Sequence, residues 1–506
     1  MKTPQHSKGL LLIVFVVGMA TLGAEIAAAR LLAPWFGAST IVWANTIAIV
    51  LVALAIGYAI GGRYADRHPH LDGLLRLVLI AGLLLAAVPY IAKPFLRSSA
   101  MAFSEMSLGI FLGSLVSVGA LVAIPLLLLG MVSPYAVRLA MDSVDEAGTT
   151  TGRLYAVGTV GSLVGTFAAS LLLIPYVGTR RTFLIFACCL VLLSLLGSRR
   201  RLWGGLAALL VVGLIALPNQ VTKTSAQGDQ VIKEVETEYQ YASVLRRRGR
   251  LLLELNEGQA LHSVYTPDVY LNDGYWDHMA LLPQAADRQD RVAILGSAAG
   301  TTARTIAHYF PDTLIDSVEI DPELTKIGNA LFDAKHPQVR QHTADARPWL
   351  QASKERYDAI LVDAYRQPYI PFYLTTKEFF ALTKERLAPG GIVAVNVGHP
   401  PGSNDLEKTL SATMRSVFGA DKVFRDEVDE FSTMLLATTS KTDPGAALQA
   451  FTHDDREVQT LAHQIGFGLA PALDGGTVYT DDRAPVEWLI DASFADLATN
   501  GSRAGS

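Results

Sequence analysis

The chain has 506 residues, half of them hydrophobic and 18% charged, with a formal net charge of −5. That is too apolar for an ordinary soluble protein, and the mildly acidic balance excludes the broad basic field of a nucleic-acid binder. The two cysteines, Cys188 and Cys189, are adjacent within an apolar run, so they read as small core or lipid-facing residues and not as a disulfide or metal pair.

The apolar residues are unevenly spread. Residues 1–218 hold nearly all the long uncharged runs and are expected to form a multi-pass transmembrane domain. Seven candidate helical spans fall near 10–29, 41–62, 74–92, 108–130, 154–175, 181–197 and 202–217. The first lacks a clear cleavage site and is followed by further spans, so it reads as a span and not as a removable signal. The last two are short, and 202–217 has the alternative of lying in the interface. Pro125 and Pro134 allow an extra re-entrant piece within 107–141. Glycines such as Gly57, Gly61, Gly62, Gly158, Gly161 and Gly165 suit close helix–helix contact.

Loop charges give an orientation. Arg63, Arg67, Arg76, Arg138, Arg153 and Arg199–Arg201 outweigh Arg30, Lys93, Arg97, Arg180 and Arg181, which favours an inside N-terminus. "GGRYADR" (61–67) also resembles the cytoplasmic loop motif of major-facilitator transporters. An odd number of spans would then place the C-terminal domain outside, against the cytoplasmic side that nucleoside chemistry favours. Glu25 and Arg30 end the first span. They are either functional charges or a bundle-paired acid and a snorkelling arginine. No dense set of acids marks an ion path.

Residues 219–285 carry short alternating runs, "YQYASVLRR", "RLLLELN" and "QALHSVY", which predict a small antiparallel β subdomain. From 286 to 506 the pattern alternates strand and helix. Strands are predicted at "RVAIL", "LIDSVEI", "VRQHT", "DAILVD" and "GIVAVNV", with helices starting near 301, 322, 346, 375 and 404. Two more strands follow near 422–427 and 432–438. This is the pattern of a mostly parallel, doubly wound Rossmann-like sheet, with ligand sites at the C-terminal ends of its strands.

Those ends carry the chemistry. "LGSAAG" (295–300) follows the first strand, and Gly296 and Gly300 permit a tight turn with close backbone approach to a ligand. Glu319 ends the second strand about twenty residues on, where an acid accepts from ribose hydroxyls. "TADA" ends the third, so that Asp345, with Ala346 after it, is placed to read an adenine amino group or to cap a helix. The fourth strand ends at Asp363 in "ILVDAYRQPYIPFYLTT" (360–376). A partly desolvated carboxylate there can accept a proton or orient a bound group. Tyr275, Trp276 and Tyr365 offer aromatic faces of the kind a cationic group favours. Tyr365, Tyr369, Phe372 and Tyr373 read as a wall or lid.

With these motifs in view, residues of about 235–440 resemble the spermidine synthases, the polyamine aminopropyltransferases. With the apolar half included, the chain is similar to bacterial membrane-fused spermidine synthase-like proteins, also in the tail "YTDDRAPVEWLI" (479–490). Tyr239–Gln240 matches the family's first sheet motif, and Gln259 in "LNEGQALHS" its cofactor-contacting glutamine. Tyr275 in "GYWDHMALLP" is retained from its Tyr-Gln-Glu-Met segment. The resemblance implies Gln240, Gln259, Tyr275, Gly296, Gly300, Glu319, Asp345, Ala346, Tyr365 and Arg366 as binding residues and Asp363 as general base. It implies decarboxylated S-adenosylmethionine as co-substrate and 5′-methylthioadenosine as by-product, with no permanently bound cofactor and no metal.

Three positions depart from that pattern. Ala299 replaces the acid before the last glycine, Trp276 a glutamine, and Arg366 the second acid of Asp-x-x-Asp. A guanidinium 4 Å from an ammonium repels it by about 1 to 4 kcal/mol, depending on the effective dielectric. The same Arg366 would favour a carboxylate, as in intact S-adenosylmethionine or an acidic acceptor, or would pair with a nearby acid. The expected function is a membrane-anchored aminopropyltransferase-like enzyme, with another S-adenosylmethionine reaction (methyl transfer or acceptor-free cleavage) and a nucleoside-sensing transporter without turnover as the alternatives. The expected partners are the lipid bilayer of a bacterial inner membrane, a small amine or amino-acid-like substrate and, as an option, a second copy in a homodimer. No nucleic acid is expected. Asp481, Asp482 and Arg483 have no chemical role in this reading beyond ion pairing.

Overall fold

The computed structural model describes residues 4–36, 40–103, 109–141, 147–195, 201–217, 229–256, 260–365, 370–490 and 492–493. By contact the chain divides into two compact units: Met1–Thr224 with Glu236–Tyr241, and Ser225–Val235 with Ala242–Ser506.

The first unit is helical. Among the described residues five helices are long and apolar enough to cross a membrane: Lys8–Phe36, Ile41–Arg67, Leu71–Ser99, Phe111–Ala140 and Ala147–Val177. The two remaining predicted spans are helices of 16 residues each, Thr179–Ser194 and Arg201–Ala216. A 16-residue helix rises about 24 Å, short of a hydrocarbon core of about 30 Å. Seven spans therefore reduce to five by length. The expected break at Pro125 and Pro134 is absent, because Gly109–Ala140 runs through both. A Cβ on Gly161 or Gly165 would meet the backbone of Phe15 or Met19, and one on Gly57 or Gly61 that of Leu127 or Met131. Glycine is what lets these backbones touch. Glu236 clusters with this unit and accepts the Thr179 N–H at 2.9 Å. Burial raises the Glu236 pKa, and the positive charge of Arg30 acts against that shift.

The second unit holds two sheets. The smaller joins β1 (Gln230–Glu236), β2 (Tyr241–Arg247), β3 (Arg250–Leu255) and β4 (Leu261–Tyr265) in that order. The larger is built from β5 (Arg291–Leu295), β6 (Leu314–Glu319), β7 (Val339–Thr343), β8 (Tyr357–Val362), β9 (Leu387–Gly398), β10 (Val423–Asp429), β11 (Ser432–Thr438) and the two-residue β12 (Ala470–Pro471). Its order is β12-β10-β11-β9-β8-β5-β6-β7. The strands β7, β6, β5, β8 and β9 are parallel, while β11, β10 and β12 run antiparallel to their neighbours. Every residue of β8 is buried, as an uninterrupted apolar run in a two-sided sheet requires.

Alternation along the strands splits the core between the two faces. Ala293, Leu295, Ile360 and Val362 pack with Phe379, Phe380 and Leu410, and Val292, Ile294 and Leu361 with Met279, Ile306 and Ile465. Because β5 leads outward to β6 and β7 while β8 returns on its other side, the order of strand addition reverses between the parallel β5 and β8. That crevice is where doubly wound sheets take ligands. The predicted helices are present at 301–309, 322–331, 346–352, 377–386 and 405–418. Three further helices, Tyr275–Leu281, Pro444–Ala450 and Arg456–Gly468, lie outside the predicted strand–helix alternation, although Asp443 and Asp455 cap the last two through their side chains.

Candidate active site

The turn after β5 positions the site. Gly296 has φ +88°, and a Cβ there would lie 2.5 Å from Ala364 N and from the Asp363 carbonyl oxygen. The β5 turn and the chain leaving β8 are thus pressed together, and only glycine fits between them. Gly300, at φ +91°, precedes the helix Thr301–Tyr309. Ala299, where the resembled family has an acid, is buried and donates its N–H to Ser263 Oγ at 3.0 Å.

Glu319 closes this turn from β6. Its Oε2 accepts the Ala298 N–H at 2.8 Å and its Oε1 the Asp321 N–H at 3.0 Å. Burial pushes its carboxyl up to about 7, and the N–H groups of Asp321, Ala298 and Ser297 act against that rise. Asp345 is the N-cap of the helix Ala346–Ala352, as one of its two predicted readings has it. Oδ1 accepts the Arg347 N–H at 3.2 Å, and Oδ2 accepts the Tyr373 hydroxyl at 2.8 Å. Ala346 is buried behind it.

Across the switch point, Asp363 is held by side chains. Asn396 Nδ2 donates to its Oδ1 at 2.8 Å, and the Asn396 Oδ1 in turn accepts from Ser432 Oγ at 2.8 Å. The Tyr275 hydroxyl bonds to the same carboxylate. Burial pushes Asp363 up to about 7. The Asn396 and Tyr275 bonds pull it down, and the charge of Glu319 pushes it further up. Tyr275 is raised well above the ordinary phenol value by burial and then by Asp363. Tyr365 donates to the Asn396 carbonyl and accepts the Gly398 N–H, both at 2.7 Å, and burial raises its pKa as well.

The structure therefore brings together Tyr275, Asp363 and Tyr365 on one side and Gly296, Gly300, Glu319, Asp345 and Ala346 on the other. Gln240 is buried in the turn before β2 and clusters with the helical unit. Gln259, Arg366 and Tyr369 lie outside the described residues. Of the expected aromatic wall, Tyr365 and Tyr373 bond inward, whereas Phe372 is 50% exposed with its ring perpendicular to that of Tyr373, 5.6 Å between ring centroids. Trp276 is buried with its ring 4.5 Å from that of Tyr275. Sequence reasoning missed Asn396, although a lone amide in the apolar run "GIVAVNVG" was the available signal. Asp481 gains a role: it takes Arg347 through both guanidinium ends, at 2.7 and 2.6 Å, and accepts from Thr376 at 2.7 Å.

A two-sided crevice with carboxylates at successive strand ends defines an α/β domain of the methyltransferase-like class. Residues 273–443 match the family described as the spermine/spermidine synthase domain, so the chain carries a spermidine synthase domain preceded by five long apolar helices. A probable polyamine aminopropyl transferase of Bifidobacterium longum is 32% identical over 290 residues, 52% of this chain and 64% of that one. The polyamine aminopropyltransferase of Mycobacterium tuberculosis is 27% identical over 67% of each chain. Polyamine aminopropyltransferase 2 of Ralstonia nicotianae is 26% identical over 77% of this chain, a stretch that must reach into the apolar half. The chain spans 64% and 54% of the length of the first two curated relatives it matches. Among solved structures, a probable spermidine synthase from Corynebacterium glutamicum matches with TM-score 0.39 and 20% identity, covering 51% of this chain and 99% of that one.

Proposed function

We propose that the protein is a membrane-anchored alkyltransferase of the aminopropyltransferase type. It would take a nucleoside-linked sulfonium, decarboxylated S-adenosylmethionine or S-adenosylmethionine, and release 5′-methylthioadenosine. The observation that carries this reading is the buried Asp363 carboxyl, raised to about 7 and aimed by Asn396 and Tyr275. An ammonium must lose a proton before it can attack a sulfonium carbon, and a base poised near neutrality serves that step. Tyr275 and Tyr365 would line the donor's cationic centre. Glu319 would hold the ribose hydroxyls, and Asp345 the adenine edge. The domain match and the aminopropyltransferase relatives support the reaction type. The five long apolar helices support a multi-pass anchor.

A second reading is favoured by one observation. Arg366 stands where the resembled family has its second, acceptor-side acid, which suits acceptor-free cleavage of S-adenosylmethionine by its own carboxylate. One product assay separates the readings. Full-length protein is incubated with each donor, with and without putrescine, and methylthioadenosine is quantified. The proposal expects amine-dependent methylthioadenosine. Its amine-independent release supports cleavage, and none from either donor overturns both. Protease accessibility in intact cells and spheroplasts reads the side on which the domain lies.

A further inference from the structure

The helical unit holds a cavity of its own. Four of its long helices pack as two close pairs. A Cβ on Gly18 of Lys8–Phe36 would lie 2.3 Å from the Gly158 carbonyl oxygen of Ala147–Val177, and one on Gly130 of Phe111–Ala140 would lie 3.0 Å from the Leu54 carbonyl oxygen of Ile41–Arg67. Between the two pairs lies a cavity of about 120 Å³. An apolar cavity of about 150 Å³ takes a benzene ring, so this one has room for a head group of roughly six heavy atoms.

Apolar side chains and hydroxyls line it, and none of the lining residues is charged. Thr21 and Ser162 donate their hydroxyls to the carbonyls of Val17 and Gly18, at 2.7 and 3.3 Å. Those of Tyr58, Ser133, Tyr155 and Thr159 make no hydrogen bond among the described residues. A hydroxyl without a partner in apolar surroundings carries a cost that a bound donor or acceptor removes. Tyr58 and Tyr155 are 46% and 52% exposed, so the cavity opens on the outer surface of the bundle, between Ile41–Arg67 and Ala147–Val177. Tyr58 lies nine residues from Arg67, Ser133 seven from Ala140 and Tyr155 eight from Ala147. At about 1.5 Å per residue, the hydroxyls sit roughly 10–14 Å from one end of the bundle. Arg138 and Asp66, paired at 3.1 Å, join two of the helices at that end. In a bilayer the opening therefore faces acyl chains and not the headgroup layer.

We propose that this cavity binds the head of an uncharged lipid that carries hydroxyl and ester groups, with its acyl chain leaving between Tyr58 and Tyr155. Hydroxyls can donate to an ester carbonyl and accept from a lipid hydroxyl, so one lining serves both groups. A charged head at that depth would need a counter-charge, and the lining supplies none. This rests on the five long helices crossing a membrane, and not on the reaction proposed above.

The test uses full-length protein in membrane vesicles and photoreactive probes that share one acyl chain, with a diazirine beside the head. One head is a monoacylglycerol, one a carboxylate and one a quaternary ammonium. The monoacylglycerol should label residues 54–58, 129–137 and 154–162 saturably, as mapped by mass spectrometry, and unlabelled monoacylglycerol should compete. The Ser133→Ala/Tyr155→Phe double variant removes two hydroxyls that hold nothing in the fold, and should lower that labelling about three- to tenfold. A Cβ on Gly158 would have only the Val14 carbonyl oxygen near it, at 3.7 Å, so Gly158→Leu should fill the cavity and abolish the saturable part. Equal labelling of these residues by all three heads overturns the proposal, and so does labelling that neither saturates nor falls in the double variant. Alkaline carbonate extraction separates the two ideas. Protein released from the membrane ends the anchor and this site together. Protein that stays, without head-dependent labelling, ends the site and leaves the anchor.

Discussion

The two sides of the switch point hold their acids differently. On the β5–β7 side, Glu319 is bonded by backbone N–H groups of its own turn and of the neighbouring one. On the β8–β9 side, Asp363 is bonded by side chains from distant elements, Asn396 of β9 and Tyr275 of a helix that precedes the sheet. Both carboxyls are raised to about 7 by burial. A backbone-held acid has little freedom and suits a fixed ligand contact. A side-chain-held acid can change its proton and its partners, as a base must.

The sharpest way to break that contrast is to neutralise each acid in turn. Asp363→Asn is expected to lower kcat by on the order of 10³-fold, with the donor Kd within about threefold. A drop in donor binding instead would make Asp363 a ligand holder like Glu319. The pH profile carries the same contrast. Rate should rise about tenfold per pH unit below 7 and level off above it, because only the ionised Asp363 accepts a proton. Stability should move the opposite way. The folded carboxyl binds its proton more tightly than the unfolded one, so its contribution declines as pH rises from about 4 to about 7. A urea series at pH 5 and 7 should show that slope, reduced in Asp363→Asn.

Gly296 joins the two sides, so its substitution should damage both. A Cβ at φ +88° would meet backbone at 2.5 Å. Gly296→Ala should cost roughly 2–3 kcal/mol in denaturant unfolding, and lower donor binding and kcat together. Gly300→Ala should cost less, because its Cβ would meet only the Ala334 methyl, at 2.7 Å. Equal costs would show that the turn does not press on the β8 exit. Smaller again is Glu319→Gln, expected to raise the donor Kd by about tenfold while kcat at saturation holds within about threefold, since it removes a charge-assisted bond to a bound group.

The same contrast explains what could be read from the sequence. The β5–β7 side was legible because its residues sit at fixed offsets from strands: two glycines in one turn, Glu319 at the next strand end, Asp345 at the third. Asp363 was legible for the same reason. Its support Asn396 was not, because β9 meets it only once packed beside β8, and Tyr275 was named for its aromatic face and not for its bond to Asp363. The five long helices were legible from uncharged length. The shortness of Thr179–Ser194 and Arg201–Ala216 was legible too, from the shorter apolar runs at 181–197 and 202–217. Pro125 and Pro134 misled because a bundle can absorb the hydrogen bonds that proline removes.

The smallest effect tests whether the backbone-held side is as rigid as Glu319 implies. Asp345 on that side has a remote side-chain partner, the Tyr373 hydroxyl. Tyr373 is itself fixed through its carbonyl, which accepts from Arg347 Nη1 at 2.9 Å, and Arg347 is held by Asp481. The Arg347 guanidinium keeps the Asp481 carboxyl below the usual range, so the pair is ionised at neutral pH. Asp481 is 44% exposed at its side chain, which limits the strength of the pair. Asp481→Asn should therefore leave folding within about 1 kcal/mol of the parent. Arg347 would keep the Tyr373 carbonyl, and the amide oxygen of the substituted side chain would still accept from Thr376. The donor Kd should then rise by only about two- to threefold, with the pH profile unchanged. A larger loss confined to donors that carry adenine would mean that Asp345 depends on this remote chain as Asp363 depends on Asn396, and the distinction between the two sides would stop at Glu319.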